Sequence, residues 1–106
     1  MNKVFHHIGI PTTQQQPNEV YIAPVKLYVT DANASEHHIE WVRAEAGSPM
    51  PYLVKKTAHV AYTVDDLDEA LAGKKVIVKP FEAMKGLWVA FIQEGEAPIE
   101  YMEFSK

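Results

Sequence analysis

The stretch TAHVAYTVDDLDEALAG (57–73) decides the fold, because it predicts a strand, a helix start and a helix end within one short segment. Residues 58–64 alternate as a strand does, and one of the two resulting faces is apolar. That face consists of Ala58, Val60, Tyr62 and Val64. The opposite face is small and polar, and His59 provides its single imidazole. The stretch therefore raises the question of what His59 does.

The second part of the stretch predicts a short helix over 65–73. Asp66 and Glu69 have the spacing of a capping box, with aspartate in place of the usual serine or threonine. Leu67 and Leu71 belong to a short apolar stripe, and Gly73 is suited to the position just after a helix end. This is the single helix that we predict in the chain.

The rest of the chain predicts strands separated by turns. Proline is expected to close two of the strands, at Pro11 and Pro80, because it cannot donate a hydrogen bond to a neighbouring strand. The nearly continuous apolar run 87–93 predicts a strand buried on both faces. The remaining predicted strands are 3–10, 19–22, 25–30, 37–44, 75–79 and 97–104, with loops at 12–18 and 81–86. One helix among many strands indicates an α+β fold with a mostly antiparallel sheet.

Length and composition limit the class of protein. The 106 residues are enough for one domain, and a net charge of −4 without a basic run longer than two residues argues against nucleic acid and anionic membrane. No cysteine is present, which excludes thiolate nucleophiles and Zn–S sites. No apolar run approaches the roughly 20 residues of a membrane span, and the N-terminus lacks a signal-peptide pattern. We therefore expect a cytoplasmic protein with a small-molecule partner.

The two halves of the sequence resemble each other. VFHHIGIPT near the start parallels TAHVAYTVD after the proline-rich segment 47–51, and each has a histidine two places before Gly or Ala. HHIEWVR parallels APIEYMEF, and both contain Ile-Glu followed by an aromatic residue. The first half is shorter in the middle, where TTQQQPN (12–18) stands in place of a helix. The pattern predicts two repeated modules, about 1–46 and 52–106, joined by the linker 47–51 within a single domain.

The matched positions of the repeat provide four metal-competent side chains. They are His7, Glu40, His59 and Glu100. Two imidazoles and two carboxylates suit a borderline divalent ion such as Zn, Ni, Fe, Co or Mn. His38 shares a strand face with Glu40 and is an alternative ligand.

These motifs resemble those of the vicinal oxygen chelate superfamily, which includes glyoxalase I, bleomycin-resistance proteins and extradiol dioxygenases. FHHIGI and TAHVAYTVDDLDEAL look like the first strands of its two modules, and IEW and IEY look like the module-ending strands. The resemblance implies two βαβββ modules that form a curved, mostly antiparallel sheet, with the first module lacking its helix. It also implies that His7, Glu40, His59 and Glu100 bind the metal.

The filled four-ligand set implies a metal-dependent, glyoxalase-type lyase or isomerase. Such an enzyme would act on a small α-hydroxycarbonyl or related substrate through a metal-stabilised enediolate, with Glu40 or Glu100 moving the proton. The alternatives are an extradiol-type Fe(II) dioxygenase, which would not need Glu40, and a non-catalytic, bleomycin-resistance-like binding protein. Arg43 is the only arginine and lies on the Trp41 face, so a grip on glutathione carboxylates is not evident. We expect a homodimer, because the missing helix leaves sheet surface to cover.

Overall fold

Eight strands form one curved sheet in residues 2–105, the part of the chain that the computed structural model describes. The strands are β1 (Lys3–Pro11), β2 (Val20–Ile22), β3 (Leu27–Val29), β4 (Ile39–Ala44), β5 (His59–Val64), β6 (Val76–Met84), β7 (Leu87–Glu94) and β8 (Ala97–Phe104). The α-helices are α1 (Tyr52–Lys56) and α2 (Leu67–Leu71), and 3₁₀ turns lie at Ala23–Val25 and Ala32–Ala34. The predicted α+β class is confirmed.

The strand order shows two modules of the same topology. The order is β2-β3-β4-β1-β5-β8-β7-β6, so β1 and β5 lie side by side at the centre. In each half the last strand returns parallel to the first, as β4 beside β1 and β8 beside β5, while the other pairs are antiparallel. The second module contains α2 between its first two strands, and the first module has a loop there.

The sheet is packed on both faces, and we name the faces by what they carry. The site face carries His7, Glu40, His59 and Glu100, together with an apolar cluster that includes Val42, Val54 and Phe91. The helix face of the second module packs against Leu67 and Ala70 of α2. Residues 89–92 of β7 are buried throughout, as expected for a strand covered on both faces.

Carboxylate side chains cap the N-terminal end of the short helix α2. The Asp66 carboxylate accepts a hydrogen bond from the Glu69 N–H at 3.0 Å, as its position in the sequence predicts. The Glu103 carboxylate of β8 accepts a second bond from the Leu67 N–H at 2.6 Å. Gly73, just beyond the end, has a φ of +73°. Two capping carboxylates satisfy N–H groups that a helix of five residues leaves without partners.

Two local predictions are wrong. Helix α1 was not predicted, because five residues show no helical period and only Val54 is buried. Pro80 does not end a strand: β6 continues to Met84, since β6 is an edge strand whose register shifts between Val78 and Phe81. On β5, which the sequence predicted closely, the face that carries His59 is more buried than the apolar face, because it faces the interior of the curved sheet.

Candidate metal centre

The four predicted site residues come from the four central strands. His7 lies on β1 and His59 on β5, and Glu40 and Glu100 lie on the strands that run parallel to these two. Gly9 is opposite Glu40 in one module, and Ala61 is opposite Glu100 in the other. In each module, the glutamate is thus paired with the residue two places after the histidine of the same module. The equal register in both modules brings the four side chains to one point on the site face.

The donor atoms are close enough to share one ion. One ligand atom from each of the four residues lies within 4.8 Å of all the others. His59 Nε2 lies 2.9 Å from Glu100 Oε1, and His7 Nε2 lies 3.2 Å from the same oxygen. His7 Nε2 is also 3.3 Å from Glu40 Oε1. This cluster could hold a metal ion.

His7 provides a test of whether a metal fits. Its side chain is fully buried, and among residues 2–105 its Nε2 has no hydrogen-bond partner. Buried polar atoms are nearly always paired, so an unpaired one requires a reason. An imidazole nitrogen aimed at two carboxylates and a second imidazole is the arrangement that a divalent cation satisfies. The residues therefore fit a metal ion, and they leave its identity open.

The charges in the cluster are strongly coupled. Burial alone would lower the pKa of His7, but the nearby carboxylates of Glu100 and Glu40 outweigh this effect and raise the pKa to about 10. Burial would raise the pKa of Glu100, and the interactions with His59 and His7 instead lower it to about 2. The two carboxylates thus favour a positive charge at the position of His7 Nε2.

Gly9 makes room for the ring of His59. The two residues face each other across β1 and β5, and a Cβ added to Gly9 would overlap the imidazole of His59. At the equivalent position of the other module, Ala61 faces His7 and has its methyl group fully buried. Glycine is therefore needed opposite His59, whereas alanine is tolerated opposite His7. The Gly in one repeat and the Ala in the other were visible in the sequence, but their different roles were not.

His6 is a site residue that sequence reasoning did not find. Phe5 pairs with Tyr62 and His7 with the next residue, Ala61, so His6 is an extra residue in a β-bulge. Strict alternation would put His6 on the face opposite His7. The bulge instead brings the two Nδ1 atoms to 2.7 Å, within hydrogen-bond distance. The adjacent histidines were the only sequence signal for this contact.

Two other residues weighed in the sequence lie outside the cluster. His38 precedes β4 with a φ of +56°, is exposed and packs its ring near that of Phe5, so it is not one of the four clustered ligands. Arg43 forms a bidentate ion pair with Glu19, at 2.9 and 2.6 Å, and lies over the ring of Tyr28. Its guanidinium is thus engaged away from the site.

The comparisons with known proteins establish the fold. No protein-family model and no curated protein matches the sequence. Among solved structures, the chain is similar to hypothetical protein BH1468 from Bacillus halodurans C-125, with a TM-score of 0.72 and 17% sequence identity. The likeness covers 100% of this chain and 97% of that one. At this identity it supports the eight-stranded fold alone.

Within the described residues, no helix is long and apolar enough to cross a membrane.

Proposed function

We propose that the protein is a glyoxalase-like member of the vicinal oxygen chelate superfamily that acts as a metal-dependent lyase or isomerase. The observation that carries the proposal is the four-residue cluster with an unpaired, fully buried His7 Nε2 at its centre. The repeat of β-strand modules around that cluster agrees with the same assignment. The proposed substrate class is a small α-hydroxycarbonyl compound.

The four residues would hold a divalent metal ion through two nitrogen and two oxygen atoms. Bound there, the ion would supply a Lewis acid that polarises a carbonyl group. The protein contributes the fixed position of the ligands, since three of them are at least nine-tenths buried and stand on the central strands. Burial also excludes water, which strengthens electrostatic interactions within the site.

Glu40 is the carboxylate that we assign to proton transfer. Its side chain is 19% exposed and, among the described residues, it pairs with His7 alone, whereas Glu100 is 9% exposed and contacts both histidines. The pKa of Glu100 is lowered to about 2, which makes it a weak base. A carboxylate oxygen of Glu40 is thus better placed to take the proton from the carbon next to a carbonyl group and to return it.

Metal binding can be tested by isothermal titration with Ni²⁺, Zn²⁺, Mn²⁺ and Fe²⁺. We expect the wild-type protein to bind at least one of these ions and His59→Ala to lose most of the affinity, because a ligand is removed. His37→Ala is the matched control, since the His37 side chain is 75% exposed. Equally weak binding by the wild type and His59→Ala would sink the proposal.

Proton transfer can be tested by NMR in D₂O with the metal-loaded protein and hydroxyacetone. We expect exchange of the hydrogen atoms next to the carbonyl group, and a loss of at least about tenfold in rate in Glu40→Gln. The dioxygenase alternative predicts instead oxygen consumption with Fe²⁺ and activity that survives Glu40→Gln. Metal binding with neither reaction would favour the binding-protein alternative.

The proposal includes a homodimer. Among residues 2–105, no α-helix covers the helix face of the first module, where Ile8 lies between Ile39 and Val60 and is 39% exposed. Burial of such an apolar surface would favour self-association. Sedimentation of the wild type and Ile8→Asp tests this: we expect the variant to shift toward monomer, and a monomeric wild type at micromolar concentration would refute it.

A further inference from the structure

The metal cluster opens into a cavity whose wall is apolar. The cavity has a volume of about 60 Å³ and is lined by both modules. Of the described residues that line it, only Glu40, His59 and Glu100 are polar, and all three belong to the cluster. The remaining wall includes Leu27, Val42, Val54, Phe91 and Met102. Whatever occupies the cavity finds hydrogen-bonding groups only at its metal end.

We infer that the substrate carries a short, uncharged alkyl group on the side of its carbonyl that enters this cavity. This inference deepens the proposed function and depends on it for the position of the carbonyl. The volume corresponds to about two water molecules, so the space beside the cluster takes a small group and not an aromatic ring. A phosphate or carboxylate in the same place would be buried without a partner, which is strongly unfavourable.

The methionines give the cavity limited adaptability. Three of the four methionines of the chain line it, namely Met50, Met84 and Met102. Methionine side chains are flexible and fill irregular apolar space. Met50 and Met102 are each 4% exposed, whereas Met84 is 44% exposed, which places Met84 at the opening. A short alkyl chain can therefore be accommodated by the movement of these side chains, mainly that of Met84.

The absence of a cation in the wall separates this site from one for anionic substrates. The single arginine of the chain is paired with Glu19 and does not line the cavity. No lysine lines it either, among the described residues. The wall thus disfavours ligands with a charged group away from the carbonyl. This preference can be measured as a difference in binding affinity, without catalysis.

The test is a titration followed by NMR of the methionine methyl groups, on metal-free and Zn²⁺-loaded protein. The probes are hydroxyacetone, 1-hydroxy-2-butanone and dihydroxyacetone phosphate, which carries a charged group where the first two carry alkyl hydrogens. We expect both neutral ketones to shift the methyl signals of Met50, Met84 and Met102, and the phosphate to bind at least tenfold more weakly. Equal or tighter binding of the phosphate, or no methionine shift with either ketone, overturns the inference.

Two lysine variants test whether the absence of a positive charge at the cavity opening causes the weak binding of the phosphate. Met84→Lys places a cation at the opening and should strengthen phosphate binding at least tenfold, whereas Val76→Lys, on the same strand but outside the cavity, should not. Equal effects of the two substitutions would count against the inference. The metal-free titration reports on the cavity even if no ion binds. The failure of the proposed function, seen as no metal binding or no proton exchange, is therefore distinguishable from the failure of this inference.

Discussion

Gly9 shows that the site depends on the size of one residue. Its lack of a side chain leaves the space that the imidazole of His59 occupies, and no unusual backbone angle is involved. A methyl group at this position must push the ring of His59 away from Glu100, to which its Nε2 is hydrogen-bonded at 2.9 Å. The geometry of a ligand is thus controlled from the neighbouring strand.

We predict that Gly9→Ala lowers metal affinity about tenfold or more while the protein still folds. The matched control is Ala61→Gly at the equivalent position of the other module. That variant should lose about 1–2 kcal/mol of stability, through backbone entropy and the lost burial of its methyl group, and keep its metal affinity. Isothermal titration and chemical denaturation measure the two effects. An unchanged affinity in Gly9→Ala would show that the ring of His59 does not need this space.

His6 acts on the site through His7. A histidine that binds a metal by Nε2 donates its Nδ1–H to a nearby acceptor, which fixes the orientation of the ring. Nδ1 of His6 lies 2.7 Å from Nδ1 of His7 and would accept this bond if His7 binds a metal through Nε2. His6 is thus a positioning residue that the bulge in β1 brings to the same side as His7.

We predict that His6→Ala weakens metal binding by about 10–100-fold. His6→Asn should recover most of the loss, because its amide oxygen can accept the same hydrogen bond. Titration of the two variants with Zn²⁺ or Ni²⁺ measures the difference. If alanine and asparagine weaken binding equally, the hydrogen bond is not the cause.

At the scale of elements, α2 stabilises the fold without forming the site. It packs on the helix face, through Leu67 and Ala70, and the four-residue cluster that could hold a metal lies on the other face of the sheet. Its N-terminal end is held by the carboxylates of Asp66 and Glu103. Stability and metal binding should therefore be separable at this element.

We predict that Asp66→Ala lowers the free energy of unfolding by about 1 kcal/mol, the usual cost of losing such a cap. Metal affinity should not change, because no ligand is attached to α2. Asp65→Ala is the control, since Asp65 precedes the cap and should cost less than half as much. Urea denaturation of the metal-free protein compares the three. A loss of metal affinity in Asp66→Ala would mean that the two faces of the sheet are coupled.

At the scale of the whole molecule, the pairing of β1 with β5 joins the modules and creates one site from both. Each module contributes one histidine and one glutamate, and Glu100 of the second module contacts His7 of the first. The free energy of this contact depends on pH. Glu100 has its pKa lowered to about 2, so its contribution is present above about 4.5 and is lost as the pH falls toward 2. His7 has its pKa raised to about 10, so its contribution is complete below about 6.5 and is lost as the pH rises toward 10.

We predict that the contribution of this contact to the stability of the metal-free protein is largest between about pH 4.5 and 6.5 and declines on both sides. The two shifts describe one interaction, so their free energies are not added. Nearby His6 acts in the opposite direction, because burial and the charge of His7 lower its pKa. The difference in unfolding free energy between the wild type and Glu100→Gln, measured from pH 3 to 10, isolates the contact. A difference that does not vary with pH would contradict the prediction.

The sequence was sufficient for the number of strands, the α+β class and the four residues of the cluster. Alternation and turn residues are local signals, which explains why β5, β7 and β8 were predicted within one or two residues of their observed ends. The repeat extended this local information, because two equal modules must place His7 and His59, and Glu40 and Glu100, at equivalent positions. Where the signal was short or interrupted, as in α1 and at Pro80, the prediction was wrong.

Only the tertiary structure decided how these residues meet. The bulge at His6, the space over Gly9 and the different exposure of Glu40 and Glu100 arise from pairing between strands that are far apart in sequence. The apolar cavity has the same origin, since its wall combines residues from both modules. Alternation specifies the face of a strand on which a side chain lies. The distance between side chains, and the size of the space they leave, depends on register and packing that no single segment determines.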